Sequence, residues 1–235
     1  NVSKSFGGLH AVRDVSFSVA PGEIRGLIGS NGAGKSTLLH LIYGRELPDE
    51  GEILFADRDI VKLPTGRRVW LGMALKFQVT SVFDSLTVEE NLRLGAYDKQ
   101  LGRQDSDLGE RVDRMCELVR LDAMRARMAG ELSHGQRQWL EMAMAFLSRP
   151  RLLLLDEPTS GMSREEVQET ARLLQTFRTA GSVEAIVVVE HDMNFIRQVS
   201  DSVTVLHRGQ ILAEGTVEAV QADPAVQDAY LGRLA

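Results

Sequence analysis

Within Gly29-Ser30-Asn31-Gly32-Ala33-Gly34-Lys35-Ser36-Thr37, the first eight residues fill the pattern Gly-x-x-x-x-Gly-Lys-Ser/Thr. Such a run suits phosphate chemistry. Glycines let backbone N–H groups turn inward without interference from Cβ atoms, and a following helix directs its positive end at an anion. Lys35 has the reach to meet β- and γ-oxygens, and Ser36 carries a hydroxyl able to ligate Mg²⁺. The other reading is a Gly-rich turn that only caps a helix. A second cluster, Asp156-Glu157, stands directly behind Leu152-Leu153-Leu154-Leu155. A buried strand there would deliver two carboxylates to its C-terminal end, where ligands sit in open α/β sheets. Asp156 is then placed to hold Mg²⁺, directly or through water, and Glu157 to orient and deprotonate an attacking water. Alone, a strand ending in Asp-Glu is also an ordinary surface loop.

Positioning these groups requires a strand before each. Residues 24–28 read as a short buried strand feeding the glycine loop, and from Lys35 the residues Leu38, Leu39, Leu41 and Ile42 read as a helix closed by Gly44. Upstream, Val12 and residues 15–19 alternate in a strand-like way before a Pro21-Gly22 turn; downstream, residues 52–55 read as half of a hairpin turning at Asp57-Arg58. Between about Leu86 and Arg149 the pattern is helical. Thr87 with Glu90 is a capping-box pair, and residues 111–121 carry Val112, Met115, Leu118 and Val119 at helical spacing. Ser133 with Gln136 opens a last helix on which Leu140, Ala143, Met144 and Leu147 share a face. Strand pattern returns at 152–155, 185–189 and 203–206, with a helix over 164–178 between the first two. Residues 210–213 pair back through Arg208-Gly209, and the tail from Thr216 reads as amphipathic helix. Strands alternating with helices predict an α/β chain with a mainly parallel sheet.

The 235 residues are 43% hydrophobic and 26% charged, a globular composition that excludes disorder, collagen and small disulfide scaffolds. Lys and Arg number 27 against 33 Asp and Glu, a formal net charge of -6, so there is no broad basic field to hold nucleic acid. Cys116, the single cysteine, cannot close an intramolecular disulfide and suits a reducing compartment. The longest apolar runs are strand-sized, far short of the roughly 20 residues that span a bilayer. The start, Asn1-Val2-Ser3-Lys4-Ser5-Phe6, has neither an initiator Met nor the apolar core of a signal peptide, and reads as a fragment that begins just inside a domain.

The order of motifs resembles the nucleotide-binding subunit of ATP-binding-cassette (ABC) transporters. Leu132-Ser133-His134-Gly135-Gln136 stands where that family has its signature, between the phosphate loop and the Asp-Glu strand. The resemblance spans essentially the whole chain and implies a P-loop NTPase fold of the ABC ATPase type, a single ATPase domain over 1–235. Its parts would be a RecA-like, mainly parallel core with an N-terminal antiparallel β part (1–85 and 150–215), a helical subdomain (86–149) and a C-terminal helical tail (216–235). Roles follow from the same resemblance. Phe6 is similar to the aromatic on which adenine stacks, Gln78 to the Q-loop glutamine that couples Mg²⁺ to a partner, residues 160–163 to the D-loop, and His191 to the switch histidine at the γ-phosphate. ATP would be held by Phe6, Gly29, Asn31, Gly32, Ala33, Gly34, Lys35, Ser36 and Thr37, with Ser36, Gln78 and Asp156 around Mg²⁺. Glu157, His191, Lys35 and Gln78 would act in hydrolysis. Ser133, Gly135 and Gln136 would complete the phosphate site of another subunit, sandwiching two ATPs head to tail in a dimer. A capping role for Ser133 is compatible, since an N-cap and an anion site share the same N–H groups. From the residues alone, Phe6 could be a core aromatic, Gln78 an ordinary loop amide and His191 a structural histidine.

Three positions depart from the family pattern. Ser30 stands where many members have Pro, Ser163 where the D-loop usually has Asp, and His134 where the most frequent signature has Gly, which would bring a titratable ring close to the γ-phosphate of the other subunit's ATP. The runs Arg137-Gln138-Trp139-Leu140-Glu141 and Glu157-Pro158-Thr159-Ser160-Gly161-Met162, with the tail Tyr230-Leu231-Gly232-Arg233, are similar to ATPases of urea and branched-chain amino-acid importers, the urea type being nearer. The implied protein is an importer's ATPase on the cytoplasmic face of the membrane. It would work with a second ATPase subunit, two transmembrane permease subunits and an extracytoplasmic substrate-binding protein, and with no nucleic acid. Val79, Val82, Phe83 and Leu86 offer either an apolar docking groove for the membrane subunits or part of the domain's own core. Two other functions compete. Soluble relatives act on ribosomes or DNA but usually carry a second cassette or a long coiled coil, and a non-hydrolysing regulator would have no need of Lys35, Asp156, Glu157 and His191 together.

Overall fold

The computed structural model describes residues 1–76, 81–96, 107–180 and 183–231, and the chain divides into two compact units, Asn1–Leu71 with Ala185–Ala235, and Gly72–Glu184. The first unit opens with an antiparallel ribbon of β1 (Val2–Phe6) and β2 (Leu9–Val15). β3 (Ile24–Gly29), buried at every position, then runs into the glycine loop and α1 (Lys35–Tyr43), which ends at Gly44 in the left-handed conformation, φ 81°. The hairpin of β4 (Leu54–Phe55) and β5 (Arg58–Asp59) is followed by α2 (Thr65–Trp70). The second unit runs β6 (Met73–Lys76), α3 (Val88–Gly95), α4 (Leu108–Leu118), α5 (His134–Leu147), β7 (Leu152–Asp156) and α6 (Arg164–Thr179). The chain returns to the first unit with β8 (Ala185–Val189), α7 (Met193–Val199), β9 (Ser202–His207), β10 (Gln210–Gly215), α8 (Val217–Ala222) and α9 (Pro224–Leu231).

In the first unit β3 has parallel partners on both sides, with Leu27 opposite Val189 of β8 and Gly29 opposite Leu206 of β9; β10 returns antiparallel beside β9. A parallel strand enclosed in this way is apolar on both faces, and the exception in β3 is Arg25, which is buried with its charge paired to Glu23 (2.9 Å) and Glu214 (2.9 Å). The far end of α1 is closed by a cation. Arg68 of α2 is fully buried, and its guanidinium donates to the carbonyls of Leu41 (2.6 Å), Ile42 (2.8 Å), Val61 (2.9 Å) and Leu63 (2.9 Å). The last turn of a helix leaves carbonyls without intrahelical partners and carries partial negative charge, and the guanidinium answers both.

Three local expectations shift. The strand expected over 15–19 stops at Val15; beyond it burial still alternates, but strand geometry ends, because period-two patterning reports one-sided burial while a ladder also needs a paired neighbour. The first hairpin turns at Ala56-Asp57, one residue early, with both residues at positive φ (48° and 61°) as a two-residue loop between the facing pair Phe55 and Arg58 requires. The tail is two helices, parted where Pro224 opens α9.

In the second unit β6 and β7 pair in parallel, Lys76 opposite Leu155. The helical segment is held by reciprocal caps and packed apolar faces. Thr87 accepts from the N–H of Glu90 (3.2 Å) while the Glu90 carboxylate accepts from that of Thr87 (2.8 Å), and Phe146 of α5 stacks on Phe177 of α6 with ring centroids 4.0 Å apart. Glu89 accepts from Arg125 (2.6 Å) and Arg93 (2.7 Å), and these guanidinium groups hold its carboxyl down at about 2.

Candidate functional site

Every expected member of the glycine loop lies in the first unit, at the carboxyl end of β3. The glycines are there for close approach. A Cβ on Gly29 would stand 2.4 Å from the Leu206 carbonyl, and one on Gly34 (φ 103°) would stand 2.3 Å from the Ala11 carbonyl. Two walls therefore fix the loop, β2 through Ala11 and the β9–β10 turn through Gly209, whose N–H donates to the Ala33 carbonyl (3.0 Å). Asn31 and Gly32 are exposed, Ala33 is buried, and Ser36 and Thr37 are half-buried on the first turn of α1. The ammonium of Lys35 folds onto the loop itself, donating to the carbonyls of Gly29 (2.7 Å) and Ser30 (3.2 Å). Gly34 is the N-cap of α1 and supplies no side-chain acceptor, so the first N–H groups of the helix point into the loop. A helix start of this kind is an anion site.

His191 and Phe6 belong to the same unit. β8 runs parallel to β3, the N–H of Glu190 donates to the Leu27 carbonyl (3.3 Å), and His191 follows at the same sheet edge as the loop. Its ring is 63% exposed, with Nδ1 3.6 Å from the carboxylate of the fully buried Glu190. Phe6 is 45% exposed, so it is not a core aromatic, and the Lys4 ammonium lies 5.3 Å from its ring centroid.

The second unit carries the remaining groups. Asp156 ends β7 and is buried, and Glu157 follows at φ 47°, a left-handed conformation that side chains other than glycine seldom adopt. The N–H of Ser160 donates to the Glu157 carbonyl (3.2 Å), closing a turn. Ser133 caps α5, accepting from the N–H of Gln136 (3.3 Å), whose side chain accepts from the N–H of Ser133 (2.9 Å). Gly135 is buried against α6: a Cβ there would stand 2.1 Å from Glu166 Oε1. Ser163 is the N-cap of α6, accepting from the N–H of Glu166 (3.2 Å), which accounts locally for the hydroxyl at that departure. His134 is exposed, and its Nε2 lies 2.9 Å from the Ser160 carbonyl. Gln78 and Val79 lie outside the described residues. Phe83 is 53% exposed, which removes it from the core, while its backbone is pinned by Asn91, which accepts from its N–H (2.8 Å) and donates to its carbonyl (3.1 Å); Val82 and Leu86 are half-buried.

The family model for ABC transporters matches residues 12–160, from β2 to the turn after Glu157. This chain belongs to the ABC transporter ATP-binding family. A second model, for branched-chain amino acid ATP-binding cassette transporters, matches residues 210–234. The chain is similar to the high-affinity branched-chain amino acid transport ATP-binding protein BraG of Pseudomonas aeruginosa, 36% identical over 98% of this chain and 97% of that one. It is also similar to the lipopolysaccharide export ATP-binding protein LptB of Acidithiobacillus ferridurans, 34% identical over 97% and 93%. Among solved structures it resembles the ADP conformation of an ATP-binding cassette of an ABC transporter, with a TM-score of 0.87 and 29% identity over 99% of this chain and 96% of that one. As an ABC ATPase it binds nucleotide and couples ATP hydrolysis to transport, and membership implies membrane permease partners. No helix of the described residues is long and apolar enough to cross a membrane.

Several residues that shape this ABC site are silent in the sequence. Ala11, Leu206 and Gly209 act through backbone atoms; residue type marks Gly209 as a turn but marks none of them as a wall of the loop. Asn91 had a signal, a polar residue amid the apolar positions of α3, and it proves fully buried. For Mg²⁺, no group of three or more His, Cys, Asp or Glu gathers among the described residues. A cation held at phosphates needs only one or two protein oxygens beside water, and the Ser36 hydroxyl and Asp156 carboxylate are hard donors of that type.

Proposed function

We propose that this chain is the ATP-hydrolysing subunit of an importer for branched-chain amino acids, seated at the cytoplasmic face of the membrane and paired with a second ATPase subunit. The observation that carries the nucleotide part is the uncapped start of α1 behind a glycine loop held by two backbone walls. In this reading Gly29, Asn31, Gly32, Ala33, Gly34, Lys35, Ser36 and Thr37 receive the phosphates, and Lys35 exchanges its two loop carbonyls for phosphate oxygens. Phe6 stacks on adenine. Ser36, Gln78 and Asp156 would hold Mg²⁺, which would supply neutralisation of phosphate charge. Glu157 accepts the proton of the attacking water, and His191 orients the γ-phosphate edge. Ser133, Gly135 and Gln136 meet the nucleotide of the other ATPase subunit, and the exposed Phe83 docks on a permease subunit. A substrate-binding protein outside the membrane delivers the cargo.

The cargo rests on the match of residues 210–234 and on the name of the Pseudomonas relative, because overall identity to the lipopolysaccharide exporter subunit is nearly as high. Two experiments test the two halves. Glu157→Gln should lower hydrolysis by at least about a hundredfold and leave ATP binding intact; turnover at the parent rate would remove the base assignment. In lipid-reconstituted complex, the binding protein loaded with leucine should stimulate ATP hydrolysis. Stimulation by urea alone would move the chain to the urea importers with its site assignments standing, and stimulation by neither would overturn the cargo.

A further inference from the structure

The departure of the signature at His134 has a partner within its own unit. His134 is the first residue of α5, and its Nε2 lies 2.9 Å from the Ser160 carbonyl. A carbonyl only accepts, so Nε2 carries the hydrogen and the ring is the Nε2–H form. The neighbouring Gln138 makes the same point. It is 1% exposed, its side-chain nitrogen stands 3.3 Å from His134 Nε2, and its Oε1 is buried with no hydrogen-bond partner among the described residues. Two donors facing one another repel, whereas a half-turn of the amide, indistinguishable in shape, lets Oε1 share the Nε2–H as the longer branch of a bifurcated bond whose shorter branch goes to the Ser160 carbonyl. Gly161, at φ 74°, lets the ring sit close: a Cβ there would stand 3.1 Å from His134 Nε2.

Ser160 is no arbitrary anchor. Its N–H closes the turn onto the Glu157 carbonyl, and Glu157 heads that turn in the left-handed conformation. At the other end the N–H of Met162 donates to the Thr159 carbonyl (3.1 Å), and the Met162 sulfur lies 3.3 Å from the Thr170 hydroxyl, which donates to the Glu166 carbonyl (2.9 Å) and accepts from the Trp139 indole (2.9 Å). Helix α5 thus holds the turn directly through His134, and through Trp139 it holds the α6 residue Thr170 that lies against Met162. A strained carboxylate-bearing residue keeps its geometry only when its surroundings over-determine it. We propose that His134 is a positioning residue, whose Nε2–H holds the Ser160 carbonyl and so fixes the turn that aims the Glu157 carboxylate.

This rests on Glu157 being the base, and the test separates the two ideas. With ¹⁵N-labelled histidine in the full chain, long-range ¹H–¹⁵N spectra at mildly alkaline pH should show His134 protonated at Nε2; a ring protonated at Nδ1 would overturn the proposal whatever Glu157 does. In ATP hydrolysis by the purified chain, His134→Ala should lower kcat about tenfold with KM for ATP within about twofold of the parent, the loss expected for one hydrogen bond that matters in the transition state. His134→Gln should restore most of that loss, because its amide nitrogen stands as many bonds from Cα as Nε2 does, and His134→Asn, one bond short, should not. An unchanged kcat in the alanine variant, or equal rescue by Asn and Gln, would remove His134 from the reaction. Loss of turnover in Glu157→Gln is read separately, so failure of the base assignment shows there and leaves the ring form of His134 untouched.

Discussion

The N-cap position of α1 is Gly34, with no side-chain acceptor, while that of α5 is Ser133, whose hydroxyl accepts from Gln136 in a reciprocal box. Both helix starts follow motifs expected to meet phosphate, and they are prepared differently. The start of α1 is built of glycines against backbone walls and keeps its N–H groups turned into the loop. The start of α5 has two N–H groups, those of Ser133 and Gln136, satisfied by its own side chains, and in the proposed reading an anion would meet the Ser133 hydroxyl proton and the other N–H groups of the first turn. In the proposed reading these two preparations suit different parts: the glycine-built start receives nucleotide within the subunit, and the side-chain-capped start can be presented to another subunit without unravelling.

That contrast is broken most severely at Gly34. Gly34→Ala sets a Cβ 2.3 Å from the Ala11 carbonyl at φ 103°, and a backbone wall cannot swing aside. ATP hydrolysis should fall by at least about a hundredfold, as for a catalytic group displaced by an ångström; steady-state hydrolysis and nucleotide titration check it. At the other end of the same helix, Arg68→Leu takes the guanidinium donors from four carbonyls, of which Leu41 keeps the Gly44 N–H (3.3 Å), and should cost at least about 3 kcal/mol, measured as a lower midpoint in urea unfolding. The α5 side gives way more gently. Gly135→Ala meets only the tip of Glu166 at 2.1 Å, which can move at the expense of the α6 cap, so a loss of about 1–2 kcal/mol is expected, with Ser133→Ala near 1 kcal/mol. Thermal denaturation of both variants beside Gly34→Ala ranks the two walls, backbone against side chain.

The smallest effect is a pH dependence confined to the helical segment. Glu89 is held at about 2 against an ordinary 4.5, first by Arg125 and then by Arg93. A carboxyl lowered on folding contributes stability that is complete above its unfolded value and is lost as pH falls from about 4.5 toward about 2. The melting temperature should decline over that window, and Glu89→Gln should flatten the decline while leaving phosphate-loop binding unchanged.

The asymmetry between the two helix starts also governed what could be read from residues. α1 was legible because Gly34 and Gly44 punctuate it and the apolar positions between them fall on one face; α3, α5 and their caps were legible because Thr87, Glu90, Ser133 and Gln136 are chemical signals in their own right. The turn holding Glu157, the walls at Ala11 and Gly209, and the reach of His134 to Ser160 depend on backbone atoms from distant positions, which residue type does not encode. α2 and β6 passed unread: Thr65–Trp70 has no side-chain cap, and Met73–Lys76 is too short to show a period. α7 did carry a signal. Asp192 accepts from the N–H groups of Asn194 (2.8 Å) and Phe195 (3.4 Å), and its position beside His191 drew attention to the histidine instead.

Glu157 sits at φ 47°, where glycine would rest without strain and a side chain costs of order 1–2 kcal/mol. A search for sturdier versions of this protein by melting temperature alone would therefore be drawn to that position and would choose glycine or asparagine there. With Glu157 as the proposed base, such a winner would be firmer and idle. On that assignment the same residue marks where durability and turnover pull in opposite directions, and a stabilised form of this ATPase has to take its gain elsewhere.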